Sequence, residues 1–349
     1  MNSNSSDEIW LVIDSLTFGG IETHVLELAK GLNKFQVPIR VLFVRSYTNK
    51  PLLVEKLQSS NIPVSYLDLN GNSYLFNLIT LVRKNRPALL HAHGYKASLV
   101  CKLTRLVTGV RQISTYHAGE TPSGRVWWYD LVDRWTSFIS NHSIAVSEQI
   151  AKKLVSDSHR FNNFVDTNEV TKSEGEQIAF IGRLSHEKGP DRFITLAKAN
   201  PEHTFHVYGS GCMDSVLKAS APSNVVFHGH QEDMRQVWPL IGAVVICSRF
   251  EGMPMTALEA MARGIAVFSL NVGNMAQLIQ HHGNGYLAKD INQLSHDLQH
   301  HLTLDDRHKS SIQQRARESI QGEYSQSAVI PLMLALYFSN RQSDCQIEK

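Results

Sequence analysis

Two cations follow one short apolar run in the second half of the chain. The run spans 178–181, and Arg183 and Lys188 lie in the segment G-R-L-x-x-x-K-G directly after it. An arginine fork and a lysine point charge that lie close together can neutralise a diphosphate. Two solvated cations in a surface loop are the alternative. The segment is therefore a candidate anion site.

Two glutamates after a later apolar run are a second candidate for chemistry. Glu251 follows the run 243–247 and stands beside Gly252 and Pro254, and Glu259 lies among apolar or small residues. A carboxylate in such surroundings costs free energy unless a donor satisfies it. Two hydroxyls of a sugar ring could be those donors, and a backbone amide or an arginine could take their place.

A glycine pair near the start of the chain is a third candidate. Gly19 and Gly20 join the first apolar run to a segment of helical periodicity. Glycine lets a ligand approach the backbone closely, and the helix after it presents free N–H groups to an anion. A plain tight turn is the alternative. The spacing G-x-G-x-x-G of dinucleotide-binding loops does not occur here, which argues against a nicotinamide or flavin enzyme.

The elements that must position these residues alternate along the chain. Short apolar runs without a helical period predict strands at 9–13, 39–44, 64–67, 88–91, 112–115, 143–146, 178–181, 204–208, 225–227, 243–247 and 266–270. Apolar residues at helical spacing predict helices between them, for example at 75–83, 98–106, 192–199 and 256–263. The stretch 156–177 is polar and predicts a connection between two domains.

Near-continuous apolar strands separated by helices are typical of a parallel sheet that is covered on both faces. The chain is therefore predicted to be α/β, with two Rossmann-like, doubly wound domains that face a central cleft. Ligands of such domains bind at the carboxyl ends of the strands. All three candidate segments follow predicted strands, so we expect them at that edge of their sheets.

Length and composition agree with this architecture. The chain has 349 residues, more than the ~250–300 that one hydrophobic core usually serves. Apolar residues make up 42% and charged residues 19%, as in a folded globular protein. The net charge of +2 gives no electrostatic argument for nucleic-acid binding, and we expect none.

No sequence feature indicates export or membrane insertion. The segment Met1–Asp7 lacks the basic start of a signal peptide, and no apolar run approaches the ~18 residues of a membrane span. We expect a cytoplasmic protein, at most attached to the inner face of the cell membrane. The cysteines form no C-x-x-C pair and are expected to be isolated thiols: Cys101, Cys212, Cys247 and Cys345.

Together the three motifs resemble those of the family 4 glycosyltransferases of the GT-B fold. In that family they occur as a G-G-x-E loop, a G-R-L-x-x-x-K-G loop and a Glu-x7-Glu motif, in the order found here. The resemblance covers nearly the whole chain. It implies transfer of a sugar from a UDP- or GDP-sugar to a glycan or lipid-linked acceptor with retention of configuration, in cell-surface polysaccharide synthesis. No cofactor and no metal is expected.

The resemblance also assigns domains and residues. An acceptor-side domain would span 1–165, completed by a C-terminal helix within 324–349, and a donor-binding domain would span 166–323. Arg183 and Lys188 would hold the donor diphosphate, Glu251 would face the donor sugar, and Glu259 would accept hydrogen bonds from the ribose. His117 would lie near the transferred sugar. Further substrate-binding positions would be Gly19, Gly20, Phe227, His228, Gly252, Met253, Pro254, Met255 and Thr256.

The chemistry of the residues agrees with the resemblance, and two other functions stay open. Metal-dependent transferases often use closely spaced acidic residues, and no Asp-x-Asp occurs in the chain. Fixed cations aimed at the leaving diphosphate are the alternative stabilisers. A sugar-nucleotide epimerase of the same fold and a non-catalytic sugar-nucleotide binder are the other candidates.

Two further patterns allow more than one interpretation. Basic residues and aromatic residues punctuate 96–135, which suits a helix on anionic lipid or a partly buried helix whose cations reach solvent. These residues are Lys96, Lys102, Arg105, Arg111, Trp127, Trp128, Tyr129 and Trp135. Among the histidines, His91 and His93 are expected at a strand end or in the cleft. The pairs at 281–282 and 300–301 are expected on the solvated surface.

Overall fold

The computed structural model describes residues 7–14, 19–46, 51–68, 73–117, 124–168 and 170–339. The expectations for the N-terminal segment Met1–Asp7, apart from Asp7, and for Cys345 lie outside these residues. The chain divides into two compact units, called here the N-terminal unit (Met1–Asn162 with Gln326–Lys349) and the C-terminal unit (Asn163–Ser325).

A seven-stranded parallel sheet forms the N-terminal unit, in the order β3-β2-β1-β4-β5-β6-β7. Its strands are β1 Ile9–Ile13, β2 Ile39–Phe43, β3 Val64–Tyr66, β4 Leu89–His93, β5 Gln112–Tyr116, β6 His142–Ala145 and β7 Ser158–Arg160. Its helices are α1 Gly20–Lys34, α2 Leu52–Ser59, α3 Tyr74–Asn85, α4 Tyr95–Thr108, α5 Arg125–Trp135, α6 Glu148–Ala151 and α13 Gln326–Phe338. The strand order reverses between β1 and β4, where a doubly wound sheet opens its ligand crevice.

A six-stranded parallel sheet forms the C-terminal unit, in the order β10-β9-β8-β11-β12-β13. Its strands are β8 Gln177–Ile181, β9 Phe205–Tyr208, β10 Val225–Gly229, β11 Ile241–Ile246, β12 Ala266–Leu270 and β13 Tyr286–Ala288. Its helices are α7 Pro190–Ala199, α8 Asp214–Ser220, α9 Met255–Ala262, α10 Met275–Leu278, α11 Ile291–Thr303 and α12 Asp306–Glu323. Two apolar clusters, one containing Val244 and one containing Val245, make up its core.

The two parallel sheets with alternating helices confirm the predicted fold class. All eleven predicted strands are present, with bounds that shift by a few residues at most. The stretch 156–177, predicted as a connection between domains, contains the boundary between the units and also a short strand, β7, that the sequence did not predict. Its residues Ser158, His159 and Arg160 are polar and partly exposed at the edge of the sheet, so they carry no apolar signal.

Helix α13 packs on α1 within the N-terminal unit. The side-chain amide of Gln326 donates to the backbone oxygen of Glu27 at 3.1 Å and to its carboxylate at 2.9 Å. A Cβ on Gly31 would lie 2.8 Å from the side chain of Ile330, so the two helices approach too closely for a larger residue there. Pro331 lies inside the helix, nearer its start than its end.

The two ends of the C-terminal unit meet. The amide of Val165 donates to the backbone oxygen of Tyr324 at 2.9 Å, and Val165 forms an isolated parallel bridge with Ser325. The unit is therefore a continuous segment whose first and last residues are neighbours.

Helices α4 and α5 are joined by a buried ion pair. Lys102 Nζ lies 2.6 Å from Asp133 Oδ1, with side chains only 1% and 3% exposed. The sequence interpretation of Lys102 as a cation that reaches solvent or lipid is therefore wrong. A buried cation of this kind is held by its partner carboxylate, which compensates much of the cost of desolvating both charges.

No helix among the described residues is long and apolar enough to cross a membrane. Cys101 and Cys247 are buried and Cys212 is exposed, and all three are free thiols. Burial raises the pKa of the Cys247 thiol to about 12, so this residue is chemically inert at neutral pH.

Candidate active site

The loop after β8 carries Arg183 and Lys188 to the carboxyl edge of the C-terminal sheet. Lys188 ends a short 3-10 turn, His186–Lys188, and Gly189 follows with φ +64°. A Cβ on Gly189 would lie 2.3 Å from the backbone oxygen of Cys247. Only glycine fits this contact and this backbone conformation without strain, and it brings the loop against the loop that follows β11.

A short ion pair links the two motif loops. Lys188 Nζ lies 2.6 Å from Glu251 Oε1, and the hydroxyl of Ser248 donates to the same oxygen at 2.7 Å. The Glu251 side chain is 8% exposed and that of Lys188 is 33% exposed. The buried carboxylate is thus satisfied by donors from both loops, and the lysine retains an exposed side toward solvent.

A second ion pair, between Arg249 and Asp191, ties the same loops together. The Arg249 guanidinium donates to both carboxylate oxygens of Asp191, at 2.8 and 2.6 Å. Its backbone amide donates to the backbone oxygen of Glu187 at 2.7 Å. The hydrogen bond from Arg249 holds the pKa of Asp191 below its usual value. Sequence reasoning missed this pair, because the two residues lie 58 positions apart and neither belongs to a motif.

Arg183 projects from the edge of this site. Its side chain is 61% exposed, and its guanidinium lies 3.8 Å from Glu187 Oε1. An exposed contact of that length contributes little to folding stability. The arginine can therefore turn toward an incoming anion at little cost.

Helix α9 begins at the same place. The loop residues Gly252 and Met253 are buried, and their backbone oxygens accept bonds from the Asn274 amide at 2.8 Å and the Asn163 side chain at 2.7 Å. Pro254 precedes the helix and Met255 starts it. The fixed loop thus aims the N–H groups of the first turn, and the positive end of the helix dipole, outward from the sheet edge.

Thr256 and Glu259 lie on the open face of α9. They are three positions apart and both half-buried, whereas Ala257, Leu258 and Ala260 between and beside them are fully buried. Residues at this spacing share one side of a helix. The structure therefore places Glu259 on the side of α9 that faces away from the core.

An aromatic stack stands at the end of β9 and β10. The rings of Tyr208 and His228 stack with centroids 4.2 Å apart, and His206 Nδ1 lies 2.9 Å from His228 Nε2. The side chain of Phe227 packs against the core instead. Of these residues, sequence reasoning identified Phe227 and His228. It missed His206 and Tyr208, which lie two positions apart on β9 and belong to no motif.

In the N-terminal unit the glycine pair opens α1. Gly19 is the N-cap residue in an extended conformation, and Gly20 is the exposed first residue of the helix. No described atom lies within 4 Å of the position that a Cβ of Gly20 would take. The start of α1 therefore leaves room for a ligand, at least with respect to the described residues.

His117 follows β5 and belongs to a histidine cluster. Its Nε2 lies 3.1 Å from Nδ1 of His93, and its ring lies 4.7 Å from that of His24. His91 packs on His93 with ring centroids 4.3 Å apart. Both side chains are fully buried; His93 is the last residue of β4, in agreement with the expected strand end, and His91 lies two positions inside the strand.

Burial and the neighbouring imidazoles keep these histidines neutral. Desolvation lowers the pKa of His91 to about 3 and holds the pKa values of His93 and His117 well below the usual range. At neutral pH each ring therefore offers one donor and one acceptor nitrogen. His91 uses both, with Tyr337 Oη at 2.6 Å and Thr115 Oγ1 at 2.7 Å.

Three of the four histidines at 281–282 and 300–301 are exposed, as expected, and one is buried. His281, His282 and His300 are exposed, as predicted. His301 is buried, and its Nδ1 lies 3.0 Å from the Tyr286 hydroxyl, so the prediction of a solvated side chain is wrong for this residue.

Two family models match the chain in succession. "Glycosyltransferase Family 4" matches 18–169 and "Glycosyl transferases group 1" matches 162–319. The O-antigen biosynthesis glycosyltransferase WbnH of Escherichia coli is 25% identical over 230 residues, which span 62% of this chain and 67% of the relative. The lipopolysaccharide core biosynthesis mannosyltransferase LpsB of Rhizobium meliloti (strain 1021) is 28% identical over 142 residues, 35% of this chain and 40% of the relative.

A solved structure extends the likeness to the fold. The crystal structure of Anabaena Alr3699/HepE in complex with UDP and glucose aligns with 95% of this chain and 99% of that chain, at a TM-score of 0.80 and 16% identity. The two family models meet near the boundary between the units, and together they contain every predicted site residue. The chain has the GT-B fold and belongs to the family 4, group 1 glycosyltransferases.

Proposed function

We propose that this glycosyltransferase moves a sugar from a UDP- or GDP-sugar to a glycan or lipid-linked acceptor, with retention of configuration, in cell-surface polysaccharide synthesis. The observation that carries the proposal is the contact of Lys188 with Glu251, which joins both donor motifs at one sheet edge. The bound UDP and glucose of HepE and the O-antigen and lipopolysaccharide roles of WbnH and LpsB support the choice of substrates.

The proposed mechanism follows the charge that develops as the glycosyl–phosphate bond breaks. Negative charge grows on the leaving diphosphate, and fixed cations stabilise it most when they are already in place. Lys188 is held by Glu251, and Arg183 lies on the same loop. The start of α9 adds backbone N–H groups. These groups supply the positive charge that a metal ion supplies in other transferases, so the proposed transfer needs none.

The remaining site residues orient the donor and the acceptor. Glu251 faces the donor sugar, and Glu259 accepts hydrogen bonds from the ribose hydroxyls. The backbone of Phe227 and His228 meets the base. His117 lies near the transferred sugar, as the family resemblance implies. The acceptor hydroxyl attacks the face that the diphosphate leaves, and the departing phosphate takes its proton.

The first experiment measures nucleotide release and glycosylated product from a panel of UDP- and GDP-sugars, with a chelator present. Lys188→Gln should lower kcat by about 100- to 1,000-fold, as loss of one preorganised donor does in other enzymes. Glu259→Ala should mainly raise KM for the donor. Lys198→Gln is the matched control, because Lys198 is an exposed lysine on α7 and should leave both constants unchanged.

Three results would contradict the proposal. Nucleotide release without a new glycosidic bond would favour the epimerase. Binding without any release would favour the non-catalytic binder. Activity that the chelator abolishes and added Mg²⁺ restores would disprove the metal-independent mechanism.

The surface of α4 and α5 supports an acceptor at a membrane. Helix α5 carries its apolar side chains outward, with Trp128 63% and Trp135 69% exposed. Its two carboxylates point inward, Asp133 to Lys102 and Asp130 to Arg134. The exposed apolar residues of this helix pair and of the turn that follows α5, called here the exposed apolar face, are Leu103, Leu106, Val107, Val126, Trp128, Tyr129, Val132, Trp135 and Phe138.

We propose that this exposed apolar face lies on the anionic inner leaflet of the cell membrane. Tryptophan and tyrosine favour the interface between lipid and water. Among the described residues 95–117 and 124–139 the face has no outward carboxylate, while the half-buried Arg105 and Arg111 lie on the neighbouring segments. The charge thus complements an anionic surface.

Sedimentation with phosphatidylglycerol vesicles tests this attachment. The wild-type protein should sediment with the vesicles, and the double variant Trp128→Ser, Trp135→Ser should stay in solution. Phe76→Ser is the matched control, because Phe76 is an equally exposed aromatic residue on α3. Equal sedimentation of all three proteins, or none at all, would show that the face does not bind lipid.

A further inference from the structure

Three histidines of the N-terminal unit converge from separate elements. His24 comes from α1, His93 ends β4 and His117 follows β5. One ring nitrogen of each lies within 4.8 Å of a ring nitrogen of the other two. His24 and His93 are 3% and 0% exposed, and His117 is half-buried. Nε2 of His93 is buried without a hydrogen-bond partner among the described residues.

The spacing of one nitrogen pair in the cluster suits a tetrahedral ion. Nδ1 of His93 and Nε2 of His117 are 3.1 Å apart. Two nitrogens at that separation, each ~2.05 Å from zinc, subtend about 100° at the metal, close to the tetrahedral angle. Neutral imidazole is a preferred ligand of Zn²⁺.

Of the three histidines, His117 also lines a pocket. The pocket belongs to the N-terminal unit, and Gly94, Tyr95 and Arg134 line it as well. An ion held by three imidazoles would keep a fourth coordination position open. Such an open position holds water or a ligand in zinc sites with three protein ligands.

We propose that His24, His93 and His117 form a binding site for a divalent transition metal ion, with Zn²⁺ as its probe. Without the ion, one proton lies in the hydrogen bond between Nδ1 of His93 and Nε2 of His117. When the ion binds, this proton moves to the other nitrogen of the ring that carries it. The imidazoles therefore stay neutral, and no net proton is released. One consequence rests on the proposed function: an ion on His117 would occupy the imidazole that approaches the sugar, and zinc would inhibit transfer.

The binding test uses the full chain and competition with a zinc-chelating dye. The wild type should bind one zinc ion at this site, and His24→Phe and His93→Phe should each weaken that binding at least about tenfold, since loss of even an outer partner costs 10- to 100-fold. His91→Phe is the matched control. His91 is equally buried and two positions from His93, but both its ring nitrogens are already bonded, so its loss should leave zinc affinity unchanged.

A second group, His281, His282 and Asp297, could also attract zinc at the surface of the C-terminal unit. The double variant His281→Gln, His282→Gln therefore accompanies the series and should retain the buried site. Zinc binding that persists in His24→Phe and His93→Phe, or that disappears in the double variant, would overturn the proposal. Thermal unfolding of every variant verifies that it is folded.

Transfer assays separate this proposal from the proposed function. Inhibition by zinc in the wild type that is relieved in His24→Phe supports both. Zinc bound at the cluster of a protein that transfers no sugar would leave the metal site intact and refute the function alone.

Discussion

Contacts of single atoms decide how much change is tolerated by the two motif loops at the carboxyl edge of the C-terminal sheet. Glu251 Oε1 accepts from both Lys188 and Ser248, and Gly189 lies against the backbone of Cys247. The motif residues themselves were predictable from their types and spacing. Their partnership was not, because 63 positions separate Lys188 from Glu251 and only the fold of the parallel sheet brings their loops together.

Replacement of Gly189 tests the close approach of these loops. Gly189→Ala should lower the free energy of unfolding by more than the ~1–2 kcal/mol that a left-handed residue with a Cβ costs, because the new methyl group would also meet the Cys247 oxygen. Gly229→Ala is the control, since Gly229 has φ +71° but no described atom within 4 Å of the Cβ position. Urea unfolding gives both values, and equal losses would show that Gly189 matters only for its φ.

The position of helices α4 and α5 in the sequence was easier to predict than the way in which they pack together. The basic and aromatic pattern of 96–135 falls on α4 and α5, which carry exposed apolar side chains. It did not reveal that α5 buries its carboxylates and exposes tryptophans. The sequence pattern of a helix does not show which face is buried until the residue that packs against that face is known. Lys102 supplies that partner: it also donates to the backbone oxygen of Asp133 at 2.6 Å and to Tyr116 Oη at 3.0 Å.

Removal of one member of the buried pair should therefore be costly. Lys102→Met leaves the Asp133 carboxylate buried without its cation, and the free energy of unfolding should fall by about 3–5 kcal/mol. The double variant Lys102→Met, Asp133→Leu should recover much of that loss, since it buries no unpaired charge. Urea unfolding of the single and double variants measures the difference. A double variant no more stable than Lys102→Met would mean that packing, not charge, holds the helices.

At the scale of the whole molecule, buried histidines make folding depend on pH. His91, His93 and His117 in the N-terminal unit and His301 in the C-terminal unit all have pKa values below the usual 6.5, chiefly because burial disfavours the charged ring. The two-unit architecture was predictable from the alternation of strands and helices. The burial of these histidines was not, because a histidine gives no apolar signal in the sequence, whether it lies in a strand, a loop or a helix.

A fall in pH should therefore destabilise the protein already at pH values higher than those at which carboxylates titrate. As pH falls below 6.5, the unfolded chain takes up protons that the folded histidines refuse, so the unfolded state is favoured progressively. The thermal unfolding midpoint should fall between pH 7 and pH 5, and the fall should be smaller in His93→Phe, which lacks one such group. Parallel curves for the two proteins would show that His93 is protonated equally in both states.

The joined ends of the C-terminal unit have a consequence for biosynthesis. Because Val165 and Ser325 are bridged, the whole unit is available to fold once Ser325 has left the ribosome. The N-terminal unit, although translated first, still lacks α13 at that moment and with it the Tyr337 hydroxyl that holds His91. The unit whose translation starts first is thus completed last, and a nonsense codon just before Gln326 would spare the later unit while it leaves the earlier one without α13.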